Sequence, residues 1–319
     1  MLNFDQLKLW RREDDILFNN VLIGHALLFL RERADVQMIL KKVAKFILDQ
    51  SVEGKAWNHY LRGHALYHLN ACDVDDTACA ASFLEAMGMT FKGSRHLIKK
   101  NINKHGIFYT WFALRYDISF NSSYLKLAFK EFLRPIQTAQ YWKQYPCERN
   151  DIDAVVNANA LYYLGATLET EPVIRYLVDV IKENKELDCD KWYRNIFTVY
   201  YFISRNYYKG VKQLEEIRAI ITSRILEQIS DDGCIGENVV DTALCLSTLF
   251  NLGYRGQDLA SSINYVIANQ SSLGGWAGKR VYFAYRNKSV GWGSEELSTS
   301  LCLEALSRYQ EAMMDMSDG

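Results

Sequence analysis

The sequence predicts an all-α fold, a single α/α barrel (toroid) of about six helix pairs over residues 1–319, on three observations. Helix breakers are scarce: Pro135, Pro146 and Pro172 are the 3 prolines of 319 residues, well under an average usage of about 5%. An interior proline removes a helical hydrogen bond and clashes with the preceding turn. Second, an acid-to-glycine segment recurs along the chain, and third, a glutamine–glycine–tryptophan turn precedes some of its copies. Hydrophobic residues make 49% and charged residues 24%, enough for a core and too apolar for general disorder. No Pro/Gly/Ser-rich linker divides the chain, so one domain is expected.

The acid-to-glycine copies begin at Asp76 (DTACAASFLEAMG), Asp153 (DAVVNANALYYLG), Asp241 (DTALCLSTLFNLG) and Glu296 (ELSTSLCLEALSR), and the first three close on Gly88, Gly165 and Gly253. An acid at the start and a glycine past the end are the dipole and capping signature of a helix. Ala78, Ala81, Ser82, Ala158, Ala243, Cys245, Ser300 and Cys302 put small side chains on these helices, as helices crowded round an axis require. The turn signals are Gln50…Gly54…Trp57 and Gln270…Gly274…Trp276, with Gln140 and Gln228 as weaker copies lacking a clear tryptophan. Each is expected to tie neighbouring repeats together. Further amphipathic stretches at 19–33, 93–103, 122–134, 172–184, 191–206 and 210–230 bring the total to about a dozen helices.

Charge excludes one class of partner. Lys plus Arg is 37 and Asp plus Glu is 38, a formal charge of -1, without the basic excess of a nucleic-acid binder. The 7 cysteines are scattered and never spaced CxxC, which reads as reduced thiols and a cytoplasmic protein. The N-terminal segment lacks a secretory h-region. The apolar run Val21–Leu30 is too short to span a bilayer. Peripheral membrane contact and oligomeric state stay open. The aromatics, at 13%, exceed what a helical core needs and suggest an aromatic-lined cavity.

The chemistry concentrates in Asp73-Val74-Asp75-Asp76-Thr77-Ala78. Asp76 is explained as a helix-start acid. Asp75 is not: its counterparts in the other copies are Ile152, Val240 and Glu295, so the position reads as largely inward and apolar. A carboxyl there, flanked by two more, should hold its proton and act as a Brønsted acid.

DVDDTA resembles the DxDDTA signature of class II terpene cyclases, nearest the squalene-hopene cyclase form, and QSSLGGW resembles the QxxxGxW motif of the same superfamily. The resemblance runs from about Gln50 to Arg308. It implies the terpene-cyclase/prenyltransferase-like barrel, protonation of an alkene or epoxide by Asp75, and polarisation of that acid by Asp73 and Asp76. Most members use two barrels and this length holds one, so the chain is similar to the single-barrel, merosterolic acid synthase type. That type implies a farnesyl-type chain on an aromatic head, a meroterpenoid, closed through a carbocation cascade without cofactor or metal. A prenyl diphosphate is the alternative substrate; a non-catalytic barrel binding lipid or protein is the alternative of another class.

Trp57, Trp111, Tyr200, Trp276 and Trp292 are candidates for contact with a hydrophobic polyprenyl substrate, because cations are stabilised by π-faces in a dry cavity. Other aromatics that could share the lining are Tyr60, Phe108, Tyr109, Phe112, Trp142, Trp192, Tyr201, Tyr282, Phe283 and Tyr285, which sequence alone does not sort. Trp57 and Trp276 also have the repeat tie to serve. Asn157 and Asn159, inside an apolar helix, are either satisfied core amides or groups orienting Asp75 or the substrate. His68, one helical turn from His64, is a candidate support for Asp75. The pair falls short of a zinc site, and Asp188-Cys189-Asp190 with no later histidine does not match the zinc set of protein prenyltransferases. The basic stretch Lys92–Lys104 reads as a solvated helix face rather than a head-group site. Arg12-Glu13-Asp14-Asp15 reads as a charged helix start rather than a magnesium site.

Overall fold

The computed structural model describes residues 15–115, 122–145, 147–284 and 290–317; Arg12, Glu13, Asp14 and Tyr285 lie outside them. Six helices form an inner ring: α1 (Phe18–Leu27), α3 (Val74–Ala86), α8 (Ala154–Leu164), α10 (Ile196–Tyr208), α12 (Val239–Asn251) and α14 (Glu295–Ser317). Each packs on the next, and α14 closes the ring on α1. At that seam the Ser307 hydroxyl donates to the Phe29 carbonyl (3.2 Å) and the Arg308 guanidinium lies 4.5 Å over the Phe29 ring. The outer layer comprises α2 (Ala34–Asp49), α4 (Lys92–Lys100), α9 (Glu171–Lys182), α11 (Glu215–Leu226) and α13 (Ala260–Ala268). The barrel is thus as expected, with five outer partners for six inner helices among the described residues.

Composition decides which layer each helix joins. A helix apolar on every side must be covered on every side, whereas an amphipathic one keeps a wet face. In α12 every residue from Val239 to Asn251 is buried, while α9 buries one stripe (Val173, Ile174, Leu177, Val178, Val180, Ile181). The small residues picked out from the repeats are buried on the inner helices. Gly24 shows how tight the ring is: a Cβ there would sit 2.7 Å from the Phe83 ring of α3. The stretch 191–206 is a correction of the same kind. Its helix starts only at Ile196 and is an inner helix, buried almost all round. The basic stretch is the outer helix α4, where Arg95 pairs with Glu85 and Lys99 with Glu169.

One local device is repeated between layers. The Trp57 indole N–H donates to the Ile47 carbonyl ending α2 (2.7 Å), and the Trp276 indole donates to Val266 ending α13 (2.7 Å). Their backbone N–H groups donate to the hydroxyls of Thr77 (3.2 Å) and Thr299 (3.1 Å) on the following inner helix. Ile235 replaces the tryptophan in the third copy, donating to Thr242 (3.0 Å). In the fourth, Phe108 donates to the Asn157 side chain (2.9 Å), which returns a bond to the Phe108 carbonyl (3.0 Å). That locates the fourth tie at residues 101–108, not at Gln140, which lies inside another helix. After this turn the chain makes an excursion before α8, containing α5 (Ser122–Ala128), α6 (Lys130–Leu133) and α7 (Pro135–Gln144). A two-stranded antiparallel hairpin, β1 (Tyr282–Phe283) and β2 (Gly291–Trp292), precedes α14. No helix of the described residues is long and apolar enough to cross a membrane.

Trp276 is buried with its only polar atom bonded. Trp276→Ala should therefore cost about 3–5 kcal/mol of unfolding free energy, read from urea denaturation. A loss under about 1 kcal/mol would show that the tie does not hold the layers together.

Candidate active site

The inner helices present their N-terminal ends at one rim, and the loops arriving there converge on a pocket lined by Phe18 of α1, Asp73, Asp75 and Asp76 of α3, Val156 of α8, and Trp192 and Tyr193 before α10. The hairpin adds Tyr282, Ala284 and Trp292; the α2–α3 loop adds His59, Tyr60 and Asn70; the excursion adds Thr110, Trp111, Tyr141 and Tyr145. It is a narrow slot. The space between its lining atoms, open mouth included, amounts to about 590 Å³.

The acids occupy the first turn of α3. Asp73 is its N-cap and accepts from the Asp76 N–H at 2.7 Å, as a capping aspartate should. Asp73 and Asp76 are buried; Asp75 opens on the slot. Both oxygens of Asp75 are held, Oδ1 by the Asn159 amide (2.7 Å) and Oδ2 by the Tyr193 hydroxyl (2.6 Å). Burial pushes the Asp75 carboxyl up to about 7, the Asp73 charge adds to the rise, and the bonds from Tyr193 and Asn159 oppose it. Asp73 is raised well above the ordinary carboxylate range by burial and then by Asp76; Asp76 is raised first by burial, with Asp75 adding and Asp73 opposing. Like charges so close cannot all ionise cheaply, so the triad holds protons near neutral pH. The Asn159 amide nitrogen can only donate, so it marks Oδ1 as the carbonyl oxygen and leaves the acidic proton on Oδ2. The Tyr193 hydroxyl opposite can either donate or accept.

Tyr193 is held from outside. The buried Asp190 carboxylate accepts from the backbone N–H of Trp192 (2.8 Å), Tyr193 (3.0 Å) and Val155 (2.9 Å), stitching this loop to α8. The hairpin ties in through Phe283 N–H to the Trp192 carbonyl (2.8 Å) and the Tyr282 hydroxyl to Asn19 (3.0 Å). Tyr282 stacks on Trp292 at 5.4 Å, and Trp111 and Trp192 meet edge to face at 5.7 Å. His59 lies with Nδ1 4.0 Å from Asp76, ringed by Tyr60, Tyr282 and Trp292.

Of the sequence candidates, the three acids, Trp111 and Trp292 line the slot and Asn159 bonds to Asp75. The others do not. Trp57 and Trp276 are spent on the repeat ties, and Asn157 is a satisfied core amide. The Tyr200 hydroxyl donates to Glu186 (3.1 Å), away from the slot. His68 is exposed beside Tyr67; the histidine near the acids is His59, which faces Asp76 rather than Asp75. The argument that placed Asp75 inward also needs correction. Val240 is buried, but Ile152 is 37% exposed, because its helix starts two residues later, and Glu295 is exposed. The apolar surroundings of Asp75 come from the loops, not from a shared helical position. Tyr193 was missed because Asn195, not an acid, caps α10 (2 residues on, donor Phe197 N–H at 3.0 Å). Strict inner–outer alternation after α9 was the signal that could have exposed it. Among the described residues no three His, Cys, Asp or Glu side chains are arranged to hold a metal.

By sequence the chain matches no family profile and no curated protein. By structure it is similar to the type II terpene cyclase MstE from Scytonema in its apo form, with a TM-score of 0.66 at 14% identity, over 93% of this chain and 89% of that one. Two variants of MstE in complex with their substrate, geranylgeranyl dihydroxybenzoate, align with TM-scores of 0.65 and 0.63 at 13% and 14% identity. Each covers 93% of this chain and 88% of the variant. The fold is therefore that of a terpene cyclase helical barrel.

The raised Asp75 carboxyl makes stability pH-dependent. Between its unfolded value near 3.8 and about 7 the native state binds more protons than the unfolded chain, so stability falls as pH rises through that window. Asp75→Asn removes the titration and keeps the shape. It should leave the melting temperature nearly unchanged at pH 4 and stabilise by on the order of 4 kcal/mol at pH 8. An equal effect at both pH values would show that Asp75 is not held protonated.

Proposed function

We propose that the protein is a protonation-initiated terpene cyclase acting on a linear prenyl chain attached to an aromatic acid. The observation that carries this reading is the Asp75 carboxyl. It is raised to about 7 by burial and by Asp73, is fixed by two donors, and opens on an aromatic slot. The likeness to MstE, whose substrate is a geranylgeranyl dihydroxybenzoate, supports the aromatic head over a diphosphate; the chain is farnesyl or geranylgeranyl in size.

The chemistry follows from the groups present. The terminal alkene of the chain enters with its end over Asp75. The Oδ2 proton passes to the less substituted alkene carbon, leaving a tertiary cation and an Asp75 carboxylate. Asn159 and Tyr193 already aim at both oxygens and stabilise the charge that appears there, with no reorganisation. They stabilise the carboxylate more than the acid, which strengthens Asp75 against the burial that weakens it. The rings of Trp111, Trp192, Tyr282 and Trp292 offer π-faces to the cation as successive alkenes close on it, and the narrow slot excludes water that would quench it. Loss of a proton or capture by the head group ends the cascade.

The deciding experiment incubates the protein with farnesyl and geranylgeranyl dihydroxybenzoates and with the corresponding diphosphates, with and without EDTA, and identifies products by mass spectrometry. Cyclic, mass-unchanged products from the aromatic acids, unaffected by EDTA, are expected. Asp75→Asn should lower turnover by at least about 10³-fold with circular dichroism unchanged; activity within tenfold of the parent refutes the role. Magnesium-dependent conversion of the diphosphates alone would move the substrate assignment to that class.

The acid must be protonated to act, so the rate should fall as pH rises through about 7. Tyr193→Phe removes a donor that favours the carboxylate, which raises the Asp75 pKa. The falling limb of the pH–rate profile should therefore move to higher pH while the maximal rate drops by about 10–100-fold. A limb that stays put, or moves to lower pH, would contradict the assignment.

A further inference from the structure

The acids that open the inner helices do different jobs. Asp73 caps its own helix, α3, through the Asp76 N–H. Asp153 stands at the same capping place on α8, yet its side chain makes no bond to its own helix. The first N–H groups of α8 are satisfied from elsewhere: Ala154 donates to the Cys189 carbonyl (3.0 Å) and Val155 to the Asp190 carboxylate (2.9 Å). The Asp153 carboxyl, buried at 1% exposure, bridges two loops instead. Its Oδ2 accepts from the Thr110 hydroxyl (2.6 Å) and its Oδ1 from the Lys191 backbone N–H (2.8 Å). Both partners lead to Asp75. The Val74 N–H donates to the Thr110 carbonyl (2.8 Å) and the Phe112 N–H to the Cys72 carbonyl (3.0 Å), so this extended stretch holds the turn that carries the acid. Lys191 lies in the loop of Tyr193, whose hydroxyl meets Asp75 Oδ2 at 2.6 Å.

We propose that Asp153 is a positioning residue: it fixes the Tyr193 loop against the stretch that holds Asp75, and so governs where the Tyr193 hydroxyl stands on the acid. The links form a closed circuit. Asp75 joins Val74 along the chain, Val74 bonds to Thr110, Thr110 to Asp153 and Asp153 to Lys191, and the chain runs on to Tyr193, which returns to Asp75. A hydrogen bond weakens steeply as its geometry degrades, so a bond between two loops needs both loops anchored to one point. Asp190 fastens the Tyr193 loop to α8 but makes no bond to Thr110. Asp151 touches both, yet it grips the loop through the long Lys191 side chain, whereas Asp153 grips the backbone. The titratable groups around Asp75 are Asp73 and Asp76 on its own helix, Cys79 one turn on, Tyr193, and Asp153 itself. Asp153 therefore acts on Asp75 with two signs: its charge raises the Asp75 pKa, while the Tyr193 bond that it secures lowers it. That the acid so positioned protonates an alkene rests on the cyclase reading; the circuit does not.

The test reads the Asp75 pKa directly, by carbon-13 NMR of protein labelled at the aspartate carboxyls, with the resonance assigned through its loss in Asp75→Asn. Thr110→Val keeps the backbone bonds of the stretch and removes the hydroxyl that joins it to Asp153. It should raise the Asp75 pKa by about half a unit more in the parent than in a Tyr193→Phe background, where no donor is left to misplace. Thr110→Ser restores the hydroxyl and should restore the parental value. Asp153→Asn removes the charge but keeps an acceptor for Lys191 and an amide for Thr110, so the Asp75 pKa should stay or fall. Asp153→Ala, which also removes the charge, should leave it higher than Asp153→Asn does. A purely structural role would lower the melting temperature of Thr110→Val and leave the Asp75 pKa in place. That result, or an equal change in the two backgrounds, would overturn the proposal. With a prenylated aromatic acid as substrate, Thr110→Val should lower kcat more than it raises KM and displace the falling pH limb upward. Coupling in a protein that cyclises nothing leaves the positioning role standing and removes the cyclase; cyclisation without coupling does the reverse.

Discussion

The structure depends on one constraint: six helices, buried over most of their surface, converge around a common axis. Their walls are mostly apolar, and the polar side chains they do carry bond across to other inner helices, as Tyr201 does to Glu304 and Arg308 to Asn251, while the unpaired backbone groups gather at the ends. The demand for backbone partners is thereby concentrated at the rims. At the N-terminal rim the free N–H groups demand acceptors, and Asp73, Asn195 and Asn238 supply them. The same demand makes an acidic cluster at the start of α3 structurally ordinary, and it is the setting in which a chemically unusual acid can be housed.

Asp75 is unusual because opposing influences meet on it. The helix terminus, Asn159 and Tyr193 favour the anion; burial and Asp73 favour the neutral acid, and they win. The balance gives a group that keeps its proton in the resting protein and yields to a charge that the fixed donors then absorb. A stronger acid would be empty at neutral pH, and under the proposed function a weaker one could not protonate an alkene. The outer supports matter as much as the donors. Asp190 holds the Trp192–Tyr193 loop by its backbone, so the 2.6 Å contact to Asp75 is set by a residue that never reaches the slot.

The regular repeat makes the barrel, and its irregular connections, the α5–α7 excursion above all, wall the slot. The Ile235 tie leads almost directly into α12, whereas the Trp57 and Trp276 ties are followed by the loop and the hairpin that also line the slot. The Phe108 tie departs furthest: the chain leaves, builds α5–α7, and returns to Asp153. That departure brings Trp111, Tyr141 and Tyr145 over the acids, completing one wall of an enclosure that a single barrel would otherwise leave open.

Much was legible in the sequence itself. The scarcity of proline, the acid-to-glycine period and the two tryptophan turns determine a ring of helix pairs, because each is a local rule of helix initiation, termination or tying. Asp75 was legible as an anomaly against its repeats, although Ile152 and Glu295 prove outward and only Val240 bears that comparison. The partners of Asp75 were not legible. Tyr193 lies 118 positions away along the chain and Asn159 84, and nothing local distinguishes Asn159, which reaches the acid, from Asn157, which is spent on Phe108. For the same reason Trp57 and Trp276 could be recognised as motif residues but not excluded from the slot. Local pattern determines which helices form and which layer they join, since those depend on neighbours within a turn or two. Which side chains meet across the rim depends on where ring closure carries distant loops, and that only the tertiary structure decides.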